Sequence, residues 1–324
     1  MKRLRLFLIQ NKSDLIFAKI EISGYFTNPH DKSLFAFAVM ELGSNILKHA
    51  QSHGEIWLLE RQNRLGIVAC DRGGGIGNIE LALQKGYTTF QDSSLGIGLS
   101  SLDNVDDYSL SIATSTDHKM HGSVVYFAPK LPLETLESLS IPFEEHHNGD
   151  FFFLKGQRFG FGDAAGHGKK ASLTALEAGE FFNRRFISAL LAAEFIRELH
   201  SYLINNDLRS CDAVFGNVEY NHVSLHGVGN LNLWKQHNGA VTLHSFHSGS
   251  IGGHLSKITA FDLKLAPELT IWITTDGILK EHFERFNATM NYKEPIVGIC
   301  AALYFCASLS DDASVLLITP KETP

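Results

Sequence analysis

Apolar and polar positions alternate with a period of two in short stretches of the first 129 residues, and with a helical period in the segments between them. Residues 5–9 read as a strand. Ser13 and Asp14 are expected to cap a helix over 15–20. A longer helix is predicted over about 33–49, with Leu34, Phe35, Ala38, Val39, Leu42 and Ile46 on one stripe. Residues 55–59 and 65–70 form a predicted hairpin, 80–83 a short helix, and 108–113 with 123–127 a second strand pair. This pattern predicts an α+β domain with helices on one face of a mixed sheet.

The stretch 130–143 is flanked and interrupted by Pro129, Pro132 and Pro142 and reads as a linker, with a short helix over 133–139. Beyond it the pattern changes. Residues 151–155 and 157–161 read as strands turned at Gly156, followed by helices over 170–183 and 186–204. Strands are expected at 213–215, 222–225, 231–234, 241–243 and 270–273. A final helix is expected over 295–306 and a final strand over 313–318. Many strands around two central helices predict two sheets covered by helices. The expected division is 1–129, linker 130–143, and 144–324.

The length of 324 residues fits about two domains. At 44% hydrophobic and 19% charged residues, each can bury a core, which excludes a disordered or collagen-like chain. With 28 basic against 35 acidic residues the net charge is −7, which argues against a nucleic-acid partner. Cys70, Cys211, Cys300 and Cys306 form no CxxC pair and read as reduced thiols. The apolar run 4–9 is too short for a signal segment or a membrane span, so a cytoplasmic protein with no membrane partner is expected.

Two constellations carry chemistry. In the first, Glu41 and Asn45 stand four apart on the long helix and so share one face, distinct from the Leu42/Ile46 stripe. Asp71-Arg72-Gly73-Gly74-Gly75-Ile76-Gly77 follows a strand. A strand-end aspartate can accept a hydrogen bond from an adenine amino group, and glycines let the backbone approach a flat base and phosphates without a Cβ clash. Gly96 and Gly98 open an apolar helix, whose N–H groups favour phosphate. Gly122-Ser123 precedes the last strand of this half. In this order the motifs resemble the GHKL (Bergerat) ATP-binding family, and within it the RsbT/SpoIIAB-type anti-sigma-factor serine kinases, over about residues 5–128. The resemblance implies a GHKL α/β sandwich. It implies ATP with Mg²⁺, Asn45 holding that Mg²⁺, and Glu41 orienting the attacking serine hydroxyl. Asp71 would read adenine with Gly73, Gly75 and Ser123 around it, Gly96 and Gly98 would wrap the phosphates, and 85–94 would form a lid.

In the second, Asp163 ends a strand in Gly162-Asp163-Ala164-Ala165-Gly166-His167-Gly168, and Asp276 ends another in Thr275-Asp276-Gly277-Ile278. Asp311 and Asp312 precede the last strand, and Asp150 precedes the first. Carboxylates meeting at one end of a sheet pair repel unless cations sit among them, and hard oxygen donors suit Mg²⁺ or Mn²⁺. Taken together the motifs resemble the type-2C (PPM) protein phosphatases, in particular the SpoIIE/RsbU/RsbX branch, over about 144–320. That implies an α-β-β-α sandwich and two Mn²⁺ or Mg²⁺ held by Asp163, Asp276, Asp311 and the Ala164 carbonyl, with Asp150 as a further ligand. Asp312 is a neighbour. The turn 226–230 also resembles this branch, and the loop 248–253 would help admit a phosphoprotein.

The resemblances together imply a bifunctional partner-switching regulator. It would be a serine/threonine kinase fused to a phosphoserine/phosphothreonine phosphatase, acting on a STAS-domain protein of the anti-sigma antagonist or stressosome type. The alternative is a nucleotide-dependent binding module that regulates the attached phosphatase without phosphorylating anything. His118/His121 and His244/His247 have a zinc-like spacing but no matching second pair, and read as surface or strand histidines.

Overall fold

In the computed structural model, residues 1–87, 97–144, 146–186, 191–237 and 239–320 are described. The first alternating stretch forms β1 (Lys2–Ile9), and the helical pattern after it forms α1 (Lys12–Gly24) and α2 (Pro29–His49). α1 is capped by Asn11, not by Ser13. The Asn11 side chain accepts from the Ser13 and Asp14 N–H groups, and Asp14 accepts in return from the Asn11 N–H. This reciprocal pairing satisfies donors that the first turn leaves free. The hairpin β2 (Gly54–Arg61) and β3 (Arg64–Asp71) turns on Gln62 and Asn63, both at positive φ. α3 (Ile79–Ala82), α4 (Gly98–Asp103), β4 (Tyr108–Ser115) and β5 (Gly122–Pro129) follow.

The next elements are β6 (Leu136–Ile141), β7 (Asp150–Lys155), β8 (Arg158–Ala164), α5 (Lys169–Arg185), α6 (Ala192–Asn205), β9 (Cys211–Glu219) and β10 (His222–Val228). Then come β11 (Asn232–His237), β12 (Ala240–Ser245), β13 (Thr259–Lys264), β14 (Leu269–Thr274), α7 (Lys280–Thr289), β15 (Asn291–Tyr292), α8 (Pro295–Cys306) and β16 (Ala313–Ile318). The chain packs as two units, one of Met1–Pro132 with Glu284–Phe305, the other of Leu133–Phe283 with Cys306–Pro324.

The sheet of the first unit has the order β1-β2-β3-β5-β4-β15. Its pairings are all antiparallel, so the expected mixed sheet is corrected. α1 and α2 bury Leu15, Ile22, Phe35, Val39, Leu42 and Ile46 against Ile56, Ile67 and Phe127. The opposite face presents Trp57, Val68, Cys70, Val124 and Tyr126, all buried. α8 meets this face: the Tyr304 ring lies edge-on to Trp57 at 6.3 Å, and the Arg72 guanidinium stacks over Tyr304 and Phe305. Helices therefore cover both faces, not one. The sequence of α8, Pro295-Ile296-Val297-Gly298-Ile299-Cys300-Ala301-Ala302-Leu303, is apolar all round, as a wholly buried helix must be.

The second unit holds two five-stranded sheets, β13-β10-β9-β8-β7 and β12-β11-β14-β16-β6, again antiparallel in their pairings. They face each other across Phe159, Phe161, Val214 and Leu225 on one side and Leu233, Ile271, Ile273 and Leu316 on the other. α5 and α6 cover the outer face of the first sheet through Phe182, Phe195 and Leu199. The stretch 136–141, expected as linker and helix, is instead a strand paired with β16, Ser138 opposite Leu316. Its partner lies far along the chain, so the short helical period of Leu133, Leu136 and Leu139 was the only local signal. Among the described residues no helix is long and apolar enough to cross a membrane.

Candidate functional sites

In the first unit, Glu41, Asn45, Asp71, Gly75, Gly98 and Ser123 line one cavity of 290 Å³. α2 supplies the first two on its polar face. β3 ends in Asp71, which stands opposite Ser123 on β5. Asp71 is buried. Its Oδ1 accepts from the Gly73 N–H at 2.7 Å, and its Oδ2 accepts from the Ser123 hydroxyl. Burial pushes its carboxyl up, while those two donors pull it back down. His49, also on the wall, is held below the ordinary imidazole range by burial, with Asp71 opposing. The His121 imidazole bonds the Gly73 carbonyl at 2.6 Å, and Thr114 Oγ1 accepts from the Ile76 N–H at 2.7 Å. These bonds fix the glycine loop. Gly98 opens α4 directly against the Glu41 carboxylate. Gly96, and the lid expectation from residue 88 on, lie outside the described residues.

In the second unit the ladder does the positioning. Asp150 on β7 faces Asp163 on β8, which in turn faces Asp212 on β9. Asp276 follows β14, and Asp311 precedes β16. Burial first, then Asp150, Asp276 and Asp311, drives the Asp163 carboxyl far above the usual range. Burial also raises Asp150, and Asp312 adds to it. Burial and Asp311 raise Asp276. Four of the expected carboxylates thus act on one another. Ala164 ends β8 and donates its N–H to the Gly149 carbonyl at 3.1 Å.

Three other groups order them. The Thr275 hydroxyl donates to Asp150 Oδ2 at 3.0 Å while its oxygen accepts from the Ser314 N–H at 3.0 Å. Asp312 is spent on the scaffold, accepting from Phe143 and Gly149 N–H groups at 2.7 Å each. The Asn230 side-chain amide donates to Asp276 Oδ2 at 3.4 Å, and its backbone N–H donates to Asp212 Oδ2 at 2.6 Å. Sequence reasoning passed over Asp212, and named Thr275 and Asn230 only as members of the Thr275–Ile278 motif and the turn 226–230, without a role. The signal for Asp212 was a lone charge in an otherwise apolar strand, Cys211-Asp212-Ala213-Val214-Phe215.

The donor set fits a hard divalent cation. Among the described residues Asp150 Oδ1 is buried and meets no hydrogen-bond partner. Among the described residues no lysine, arginine or histidine forms an ion pair with Asp150, Asp163, Asp276 or Asp311. A buried, unpaired carboxylate is costly, and a cation removes that cost. Among the described residues no three histidine, cysteine or acidic side chains stand close enough together to hold a metal ion as they are placed. Among the described residues the pairs His118/His121 and His244/His247 belong to no such group.

No family model and no curated protein matches the sequence. Solved structures do resemble the fold. RsbX in complex with magnesium is 16% identical, with 56% of this chain and 94% of that chain covered at a TM-score of 0.46. PppA, a regulatory component of T6SS in Pseudomonas aeruginosa, is 12% identical over 58% of this chain and 98% of that one, at 0.47. The PP2C phosphatase domain with a fragment of the regulatory domain of SpoIIE from Bacillus subtilis is 13% identical over 96% of each chain, at 0.47.

Proposed function

We propose that the second unit is a divalent-cation-dependent phosphatase for phosphoserine or phosphothreonine in a partner protein. The observation that carries this is Asp150 paired across the ladder with Asp163, with Asp276 and Asp311 near enough to act on Asp163 and no cationic side chain among the described residues in an ion pair with any of them. These four and the Ala164 carbonyl would hold two Mn²⁺ or Mg²⁺. When bound, such ions lower the pKa of a water and neutralise a phosphoryl group. The chain's own part is positioning. Thr275 fixes the Asp150 carboxylate, Asn230 fixes that of Asp276, and Asp312 locks the loop that leads into β7. Hydrolysis breaks the P–O bond to the serine or threonine oxygen and yields the free hydroxyl and inorganic phosphate.

The first unit, on this reading, binds ATP. Asp71 would meet the adenine amino group, Asn45 would hold the Mg²⁺ of Mg-ATP, and Glu41 would orient an attacking serine hydroxyl and take up its proton. Such a kinase works by placement and charge neutralisation. The observation favouring it is the cavity that gathers Glu41, Asn45, Asp71, Gly98 and Ser123. The substrate implied by the sequence resemblances is a STAS-domain protein, switched between partners by the added charge.

Manganese-dependent hydrolysis of p-nitrophenyl phosphate, abolished in Asp163→Asn and Asp276→Asn, tests the hydrolase. Equal rates in wild type and both variants would discard it. Transfer of label from γ-labelled ATP to a STAS-domain protein tests the kinase. Equal transfer by Glu41→Ala removes the assigned base, and ATP binding without any transfer favours the binding module.

A further inference from the structure

A second cavity, of 330 Å³, adjoins the carboxylate site of the second unit. Leu231 and Phe246, both buried, supply its apolar part, and Asn232, Ser245 and Ser248 supply amide and hydroxyl groups. Asp212 and Asn230 form the end next to the carboxylates, since Asn230 also reaches Asp276. Among the described residues no lysine or arginine lines it. It is at the small end of ligand cavities, suited to one long side chain.

The Asp212 carboxylate is built into this place. Gly229 lies at φ +108°, where a side chain is strained, and any Cβ there would run into Asp212. The Gly229 N–H is tied to the His247 carbonyl at 2.9 Å, and the His247 N–H to Thr259 Oγ1 at 2.7 Å, so the wall beside Asp212 is held by hydrogen bonds. Among the described residues the only donor to Asp212 is the Asn230 N–H, on Oδ2. Its Oδ1 has none, and no cationic side chain pairs with it. An apolar wall, a hydroxyl rim and one unpaired carboxylate at the end complement an aliphatic stem that carries a cation. An anionic or purely apolar group would leave Asp212 unbalanced.

We infer that this cavity selects the phosphoprotein substrate by receiving a lysine or arginine side chain next to the phosphorylated residue, its head group on Asp212. The inference rests on the phosphatase reading above. Asp212 is then a specificity residue: it contacts substrate, not the phosphate.

The test compares kcat/KM of the full chain, with Mn²⁺, on phosphoserine peptides that carry arginine, lysine, alanine or glutamate at the flanking positions. The wild type is expected to prefer a basic peptide over the alanine one by about tenfold at one flanking position, a ratio equivalent to about 1.4 kcal/mol. In Asp212→Asn the ratio should fall to near one, and Asp212→Glu should retain most of it. The asparagine variant keeps an oxygen to accept the Asn230 N–H, so the fold is preserved. Because both peptides are read on the same enzyme, a general loss of activity cancels. A wild-type ratio near one overturns the inference, as does a ratio that survives in Asp212→Asn. It is also overturned if Asp212→Asn leaves the ratio intact while raising the Mn²⁺ concentration needed for half-activation tenfold, since Asp212 is then a cation ligand. If the wild type hydrolyses neither these peptides nor p-nitrophenyl phosphate, the phosphatase reading itself has failed.

Discussion

Asp150 and Asp163 sit directly opposite each other in the β7–β8 ladder, and no basic side chain among the described residues forms an ion pair with either. Like charges paired across strands are destabilising. The protein carries this cost at the place where the strands end, beside Asp276 and Asp311.

This arrangement sets the pH dependence of the metal-free protein. Both carboxyls are raised by burial and by neighbouring acids, so the native state holds protons that the unfolded chain releases near pH 4. The native state therefore binds more protons, and stability falls as pH rises from about 4 through the raised native values. With EDTA, the thermal midpoint should drop by roughly 2–4 °C per pH unit for each group between pH 5 and 7. Mn²⁺ should remove most of that slope, because a bound cation replaces the protons. A midpoint that rises over this range in EDTA would contradict the site.

The same repulsion makes an unusual variant. Asp163→Asn places a neutral group where the wild type must take up a proton on folding, while keeping its shape. In EDTA at pH 7.5 it should melt higher than the wild type by several degrees, about 1–2 kcal/mol. In millimolar Mn²⁺ the order should reverse, since the wild type gains binding energy that the variant has lost. Calorimetry with and without metal reads both. A substitution that only disturbed packing would lower the midpoint in both conditions.

Part of this was legible in the sequence. Asp163 and Asp276 each interrupt an apolar strand at its end, and Asp150 and Asp311 each stand just before one, so a carboxylate at a sheet edge shows in the alternation itself. Glu41 and Asn45 share a helix face by spacing alone. Asp212 stayed hidden because its place depends on the register of β9 against β8, a tertiary fact that no local window holds. β6 was misread for the same reason, its hydrogen-bond partner β16 lying at the far end of the chain. α8 reads correctly as a helix from its composition. Its place against Trp57 and Arg72 is set by the apolar back of a sheet built from the other end of the sequence.

Asp71→Asn tests the first cavity. The Asp71 Oδ2 bonds Ser123 and Oδ1 bonds the Gly73 N–H, so the carboxylate has its remaining acceptor capacity to offer a ligand. An amide turns one of those acceptors into a donor, facing either Ser123 or the adenine amino group. ATP affinity, measured by titration calorimetry, should weaken by at least ~10-fold, as expected for a hydrogen bond to a charged group of about 1.5–3 kcal/mol. GTP should lose less, because its base presents an oxygen where adenine presents the amino group. Equal losses for both nucleotides would remove Asp71 from base recognition.

Two adjacent glycines separate backbone geometry from chemistry in the same loop. Gly75 holds φ +75°, and a Cβ there would meet the Ser115 carbonyl, a backbone atom that cannot swing aside. Gly74 has open space around its Cβ position and no such φ. Gly75→Ala should therefore cost about 1–3 kcal/mol and lower the thermal midpoint by several degrees. It should also displace the Ile76 N–H from Thr114 Oγ1, speeding exchange of that amide. Gly74→Ala should leave the midpoint within about 0.5 kcal/mol of wild type, or raise it slightly, because alanine lowers the entropy of the unfolded chain. Melting curves and amide exchange of the two variants side by side decide it. If both lose stability equally, the loop is held by something other than the positive φ of Gly75. If neither does, the loop is free to move, and the cavity it borders is not pre-formed.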